Sequence, residues 1–329
     1  MLPNPFPSTY RIGEDGVTLC TSFAPQKDLT YFNDETNNCQ RTVRRHDRYL
    51  NRGIRRELCY LFSGDSPVFG FGLAQKVYDN QAPLLNMGEF TFSLVENGTQ
   101  LPLTQTAHIT AEHFPNGTRW VIEPVEGDER HIMLEAELLP KNSIAVTLYT
   151  EGTNADTEFC LSIGKQRRAG RTIDASWFNA ESTPLSCTVE PGPEACADAA
   201  FYVAAGEPYN EKALLTFWGE LSSADYSGDD ICIRFSVKPD TCFAAQALLA
   251  DEGEEVDMAL CYAGMEALCR AGEAENQRVN ERLSRIRLES GDPYLSCGFL
   301  NSVLNLDYCH VGRGWLESAQ WWCCYWTNN

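Results

Sequence analysis

Ile132-Met133-Leu134-Glu135-Ala136, then Pro140-Lys141-Asn142, then Ser143-Ile144-Ala145-Val146-Thr147-Leu148-Tyr149 is the stretch that decides the fold. Two apolar or alternating runs of strand length flank a turn built on proline and asparagine, which reads as two antiparallel strands. The same pattern recurs on both sides of it. Phe69-Gly70-Phe71-Gly72-Leu73-Ala74, Glu89-Phe90-Thr91-Phe92-Ser93-Leu94, Arg119-Trp120-Val121-Ile122-Glu123 and Ile231-Cys232-Ile233-Arg234-Phe235-Ser236-Val237 are further strand runs. Glu96-Asn97-Gly98-Thr99, Pro115-Asn116-Gly117-Thr118 and Glu126-Gly127-Asp128 are the turns between them. Short strands at such intervals, with almost no segment of helical period among them, must cover one another's apolar sides. A large antiparallel β-sandwich over residues 1–240 is the expected architecture.

After Pro239 the composition changes. From Val256 to Glu289, Met258, Leu260, Cys261, Met265, Leu268 and Cys269 follow helical spacing, and the run from Glu273 to Leu283 consists of strong helix formers. Asp257 can cap the start and Ser290-Gly291-Asp292-Pro293 supplies a stop, because the residue before a proline disfavours the helical region. Residues 241–291 therefore read as a helical linker, a long helix or a helix pair.

The last stretch is aromatic. Trp315, Trp321, Trp322 and Trp326 are four of the chain's seven tryptophans, and Glu317, Gln320, Arg313 and His310 stand beside them. Indole faces stack on the apolar faces of pyranose rings, while carboxylates, amides and guanidinium groups bond ring hydroxyls and supply acid or base. The mixture suits a sugar. An aromatic helix core reads as well from the same residues, since tandem aromatics on one helix cannot all face one cavity.

The length of 329 residues leaves ample material for a core, and two domains are the prior expectation. A net charge of −20 argues against nucleic acid or an anionic membrane as the main partner. The opening Met1-Leu2-Pro3-Asn4-Pro5-Phe6-Pro7 has neither a basic nor an apolar region of a secretory signal, so a cytoplasmic location is expected. The fourteen cysteines show no CxxC and no framework spacing, which points to free thiols, with Cys187 and Cys196 the best candidates for a bridge. Seven arginines between Arg41 and Arg56 interrupt the acidic balance, and read first as partners for carboxylates at an interdomain surface. The Asn97-Gly98-Thr99 and Asn116-Gly117-Thr118 sequons read as turns. His108 and His113 flank Glu112 without the spacing of a zinc helix, and nucleotide and hydrolase-elbow fingerprints are missing, so neither a metal nor a cofactor is expected.

At Asp292 the chain begins to resemble a family. A sandwich, a charged linker carrying Asn280, Arg282, Arg285 and Ile286 in an Asn-x-Arg-x-x-Arg-Ile pattern, and Asp292-Pro293-Tyr294-Leu295 opening an aromatic helix together resemble the bacterial six-hairpin glycosidase superfamily. Tyr49-Leu50-Asn51-Arg52-Gly53 and Phe62-Ser63-Gly64-Asp65-Ser66-Pro67 are similar to segments of some of its sandwich domains. Gly314-Trp315-Leu316-Glu317-Ser318-Ala319-Gln320 is similar to the Gly-Trp-x-Gly-Asp-Ala-Gln segment of the rhamnosidase-like branch, with Glu317-Ser318 in place of Gly-Asp. The resemblance implies a sandwich joined by linker helices to an (α/α)6 barrel that holds the active site. Residues 292–329 would then be the first helices of that barrel, which would continue past Asn329.

The implied activity is that of a glycoside hydrolase acting on plant or bacterial oligosaccharides, with an oligosaccharide or glycoside as the partner. A sandwich that binds carbohydrate without cleaving it is the alternative. Glycosidases use two carboxyl groups flanking the scissile bond. Glu317 and Asp307 are the candidates for catalysis, with Trp315, Trp321, Trp322, Arg313, His310 and Gln320 for substrate binding. Asp292, which precedes a proline at a helix start, reads as a cap.

Overall fold

The structure, a computed structural model, describes residues 9–23, 52–56, 59–63, 67–74, 84–140, 142–164, 167–170, 183–250, 254–286, 288, 290–308, 316–317 and 325–327. They form two large antiparallel sheets followed by two helices.

Sheet A has the spatial order β1 (Thr9–Ile12), β2 (Leu19–Phe23), β8 (His108–Phe114), β9 (Gly117–Glu123), β10 (His131–Leu139), β11 (Ser143–Glu151), β20 (Cys242–Leu249), β17 (Lys212–Trp218), β16 (Ala199–Ala205) and β15 (Cys187–Pro191). Sheet B runs β18 (Glu220–Ser227), β19 (Asp230–Val237), β12 (Thr157–Ile163), β6 (Leu84–Glu96), β5 (Val68–Ala74), β4 (Cys59–Ser63) and β3 (Arg52–Arg56). Three short strands, β7 (Thr99–Pro102), β13 (Arg168–Gly170) and β14 (Thr183–Pro184), pair beside β6. A separate pair, β21 (Leu316–Glu317) and β22 (Tyr325–Thr327), lies near the end of the chain. The expected strand runs all fall inside these strands. Of the arginine cluster, Arg52, Arg55 and Arg56 lie on β3, the last strand of sheet B, and Arg41, Arg44, Arg45 and Arg48 lie outside the described residues.

Strand alternation builds the core. On β10, Ile132, Leu134, Ala136 and Leu138 enter the main core, and they meet Ile144, Val146 and Leu148 of β11 and Phe243, Ala245, Ala247 and Leu249 of β20. Rings join the two sheets. Trp120 of β9 stacks on Phe69 of β5 at 5.7 Å between centroids, and Phe243 of β20 stacks on Phe235 of β19 at 3.9 Å. Each such pair adds ~0.5–1.5 kcal/mol beyond the area it buries. Turn chemistry sets the register at the strand ends. Asn97 (φ +50°) and Gly98 (φ +75°) close β6 to β7, a left-handed pair that few other residues adopt without cost. Asn116 is fully buried, its side-chain amide donating to the Leu138 carbonyl at 3.5 Å, so that sequon is a structural turn.

The structure differs from the sequence expectation in three places. Strand β20 lies in the middle of sheet A between β11 and β17, so the sheet takes in residues past 240, where the linker was expected to begin. The expected helix from Val256 is a 3-10 turn, Met258–Leu260, followed by a helix α1 at Met265–Leu283. Asp257 does cap, accepting from the Ala259 amide at 3.0 Å, but Gly264 at φ +116° separates that turn from α1. Finally, a helix does cover the sandwich. Leu268, Gly272, Glu275, Val279 and Leu283, spaced by three or four, are the buried side of α1. Leu268 packs with Leu139, Ala145, Trp218 and Ala244 on the outer face of sheet A.

The second helix, α2 (Pro293–Tyr308), begins where the sequence places it. Asp292 accepts from the Tyr294 amide at 2.9 Å, the N-cap role expected of it. Cys297 and Asn301 donate to the Val17 carbonyl at 3.5 and 3.1 Å, and Leu304 enters the main core. The opposite side of the helix leaves Tyr294 and Leu295 exposed.

Candidate functional site

The expected site residues lie at the end of the chain. Asp307 belongs to α2 by its backbone, and Glu317 to β21, where it stands opposite Tyr325 of β22. The backbone at Glu317 is therefore a strand, where a helix was expected. The side chains of both fall outside the described residues, as do His310, Arg313, Trp315, Gln320, Trp321 and Trp322 entirely. Asp292 is accounted for by capping.

Within the described residues the most developed polar constellation is the seam between sheet A and the segment that leads to α2. Three outward-facing positions hold it. Gln246 of β20, fully buried, donates to the Ser143 hydroxyl at 2.7 Å and the Leu260 carbonyl at 3.2 Å, and accepts from the Tyr262 amide at 3.1 Å. Cys242, four residues earlier on the same face, lies with its sulfur 3.0 Å from the Met265 thioether. Glu137 of β10 accepts from the Asn276 amide of α1 at 2.7 Å.

Glu137 also lies beside Glu135, two residues away on the same strand face, and Glu135 meets the Arg119 guanidinium at 2.7 Å. Burial, then the neighbouring charge of Glu135, pushes the Glu137 carboxyl up to about 8. Both influences favour its protonated form, and its side chain is hydrogen-bonded to that of Glu135. A buried acid held toward its protonated form beside a second carboxyl is a common element of acid–base catalysis. Here α1 closes over them, since Glu137 is only 8% exposed and Gly272 lies against its head. No substrate reaches that proton while α1 is docked, so the pair serves docking. The sequence signal was present but faint: two acids at i and i+2 on one face of an otherwise apolar strand.

A groove of about 600 Å³ opens at the far edge, between β15 and the β18–β19 turn, lined by residues 186–190 and 228–229. Arg167 ties the turn down, with Nε donating to the Met87 carbonyl at 2.9 Å and Nη1 meeting the Asp229 carboxylate at 3.2 Å. Burial pushes the Cys187 thiol in the groove up to about 11, which makes it a poor nucleophile at neutral pH. Glu190, Asp229 and Thr188 give the groove hydrogen-bonding groups, and its lining includes no aromatic ring for a sugar to stack on. His108 and His113 are engaged with the hydroxyls of Ser22 at 2.7 Å and Thr118 at 3.1 Å. No group of three or more His, Cys, Asp or Glu residues suited to a metal ion occurs among the described residues. No helix among them is long and apolar enough to cross a membrane.

Cys187 and Cys196 are free thiols, as are seven other cysteines of the described residues. Cys196 instead meets Cys261, as Cys160 meets Cys232 with sulfurs 3.6 Å apart.

No family model matches this chain, and no curated protein does. Among solved structures, a protein named as a kojibiose phosphorylase, from the human microbiome, superposes with a TM-score of 0.52 at 8% identity, over 93% of this chain and 43% of that one. A bacterial glucoamylase in complex with acarbose gives a TM-score of 0.41 at 11% identity, over 74% of this chain and 39% of its own. The chain thus spans less than half the length of either protein. At 8% identity the first likeness is one of fold, and it extends over 93% of this chain.

Proposed function

We propose that this chain is the sandwich and linker of a carbohydrate-active enzyme that breaks a glycosidic bond. The observation that carries the reading is the order of parts. The chain is a two-sheet sandwich, a helix laid on the outer face of sheet A and a second helix opened by Asp292-Pro293, and 93% of it superposes on a protein named as a kojibiose phosphorylase. Glu317 and Asp307 are the carboxyls we assign to the reaction. One protonates the leaving oxygen, and the other acts opposite it on the attacking group or on the anomeric carbon. The attacking group is water in a hydrolase and inorganic phosphate in a phosphorylase. Trp315, Trp321 and Trp322 supply stacking faces, and Arg313, His310 and Gln320 bond hydroxyls or phosphate. The nine unbridged cysteines support a reducing, cytoplasmic setting for this reading.

The test is an assay of sugar release from a panel of disaccharides and aryl glycosides, run with and without inorganic phosphate on this chain and on any longer natural form that holds the barrel. Cleavage that falls at least ~100-fold in Glu317→Gln or Asp307→Asn supports the assignment. Cleavage untouched by both substitutions removes these carboxyls from the reaction. Saturable glycan binding without cleavage by either form favours a sandwich that binds carbohydrate and leaves it intact.

A further inference from the structure

Three of the seam's side chains carry sulfur. Cys242 projects from the outer face of β20, and Met265 and Cys269 stand at i and i+4 on the side of α1 that faces it. The Cys242 sulfur lies 3.0 Å from the Met265 thioether, and Cys269 stands one helical turn beyond Met265 on that side of α1. All three are partly exposed. A small molecule can therefore reach them, which it cannot do at Cys160, 4% exposed between two strands that are already paired.

We propose that Cys242 and Cys269 form a thiol–disulfide modification site, at which a low-molecular-weight disulfide such as oxidised glutathione closes a covalent staple between sheet A and α1. The inference rests on no part of the carbohydrate reading.

The hydrogen bond from Cys269 brings the Cys242 thiol down to about 7, against an ordinary value of 9.0, and pushes Cys269 upward. Cys242 is thus the attacking thiolate near neutral pH and Cys269 the resolving thiol. In the first step the Cys242 thiolate attacks one sulfur of the small disulfide. A protein–glutathione disulfide forms, and one glutathione leaves as thiolate and takes up a proton. In the second step Cys269 gives its proton to solvent and attacks the Cys242 sulfur, expelling the second glutathione. Two protein thiols lose two electrons and two protons, and one small disulfide becomes two thiols. The product joins residues 27 apart, by the difference of 269 and 242, and both already lie within hydrogen-bonding reach. The Cys196–Cys261 contact pins the same connecting segment one step earlier, which places a second sulfur pair on the path to α1.

The experiment treats the full chain with oxidised glutathione at pH 7.5 and maps its peptides under non-reducing conditions by mass spectrometry. A crosslinked peptide containing Cys242 and Cys269, two hydrogens lighter than the pair of thiols, is expected. In Cys269→Ser a stable glutathione adduct should remain on Cys242, and in Cys242→Ser Cys269 should stay unmodified. Amide exchange across residues 265–283 should slow at least ~10-fold in the crosslinked protein, because detachment of α1 is then blocked. A lasting adduct on Cys242 in the unsubstituted chain, no reaction at either cysteine, or a crosslink that leaves exchange in α1 unchanged would each overturn the proposal. The unsubstituted chain alone decides between these outcomes, so a variant that fails to fold does not protect the idea.

Discussion

Gly272 on α1 sits so close to Glu137 on β10 that a β-carbon built there would lie 2.1 Å from the carboxyl oxygen Oε2. Glycine in the middle of a helix costs about 1 kcal/mol relative to alanine, so the helix gives up propensity for this approach. What it gains is a place for the acid head against Asn276. Gly272→Ala must push the carboxyl off its partner and leave a buried polar group unpaired, at roughly 1–3 kcal/mol. The propensity gain offsets only part of that. We predict a net loss of up to ~2 kcal/mol in urea unfolding, and a gain in a Glu137→Ala background, where the obstructing head is gone. Stabilisation by Gly272→Ala alone would show that the contact is not tight.

Glu137 also sets a pH dependence. Its carboxyl is pushed up to about 8 in the folded chain, against an ordinary value of 4.5. A raised carboxyl contributes stability that is complete below the unfolded value and is lost as the pH rises through the folded one. Stability should therefore decline between about pH 4.5 and pH 8, by at most roughly 5 kcal/mol from this group. Glu137→Gln keeps a neutral head in place and should flatten that slope. An unchanged slope in denaturant midpoints of the variant would locate the titrating group elsewhere.

The cap at α2 separates structure from chemistry at Asp292. Its side chain accepts from the Tyr294 amide at 2.9 Å, a bond that asparagine can also make. Asp292→Ala should cost ~0.5–2 kcal/mol, read as faster amide exchange in residues 294–300, while Asp292→Asn stays near the parent. Equal and large losses of sugar cleavage in both variants, with exchange unchanged, would mean that the carboxylate takes part in the reaction.

Much of the sandwich was legible because its strands alternate and end on asparagine, glycine and proline, as in Ile132 to Tyr149. Strand β20 was not. Cys242-Phe243-Ala244-Ala245-Gln246-Ala247-Leu248-Leu249 is covered on one side by sheet B and on the other by the α1 segment, so it shows no polar face, and its alanines favour helix by propensity. The start of α1 was misplaced because periodic apolar residues run through Gly264, and only backbone geometry shows the break there. Asp292 could be read as a cap from its neighbour Pro293 alone. The seam could not be read, because Glu137 and Asn276 are 139 residues apart and nothing local to either announces the other. The same holds for the sulfur pairs, whose partners are set by the stacking of α1 on sheet A. The residues between His310 and Trp322 that we propose for sugar binding were singled out by composition, which names residue types suited to a ligand and says nothing of their arrangement.

The central claim, that this chain works on carbohydrate, is tested most directly by titrating it with a panel of oligosaccharides while following tryptophan fluorescence and heat. We predict saturable binding of at least one glycan, weakened ~10-fold or more by Trp321→Ala or Trp322→Ala, since loss of a stacked ring costs at least ~1.4 kcal/mol at a desolvated site. No saturable binding of any glycan across the panel, by a chain shown by circular dichroism to be folded, would contradict the claim.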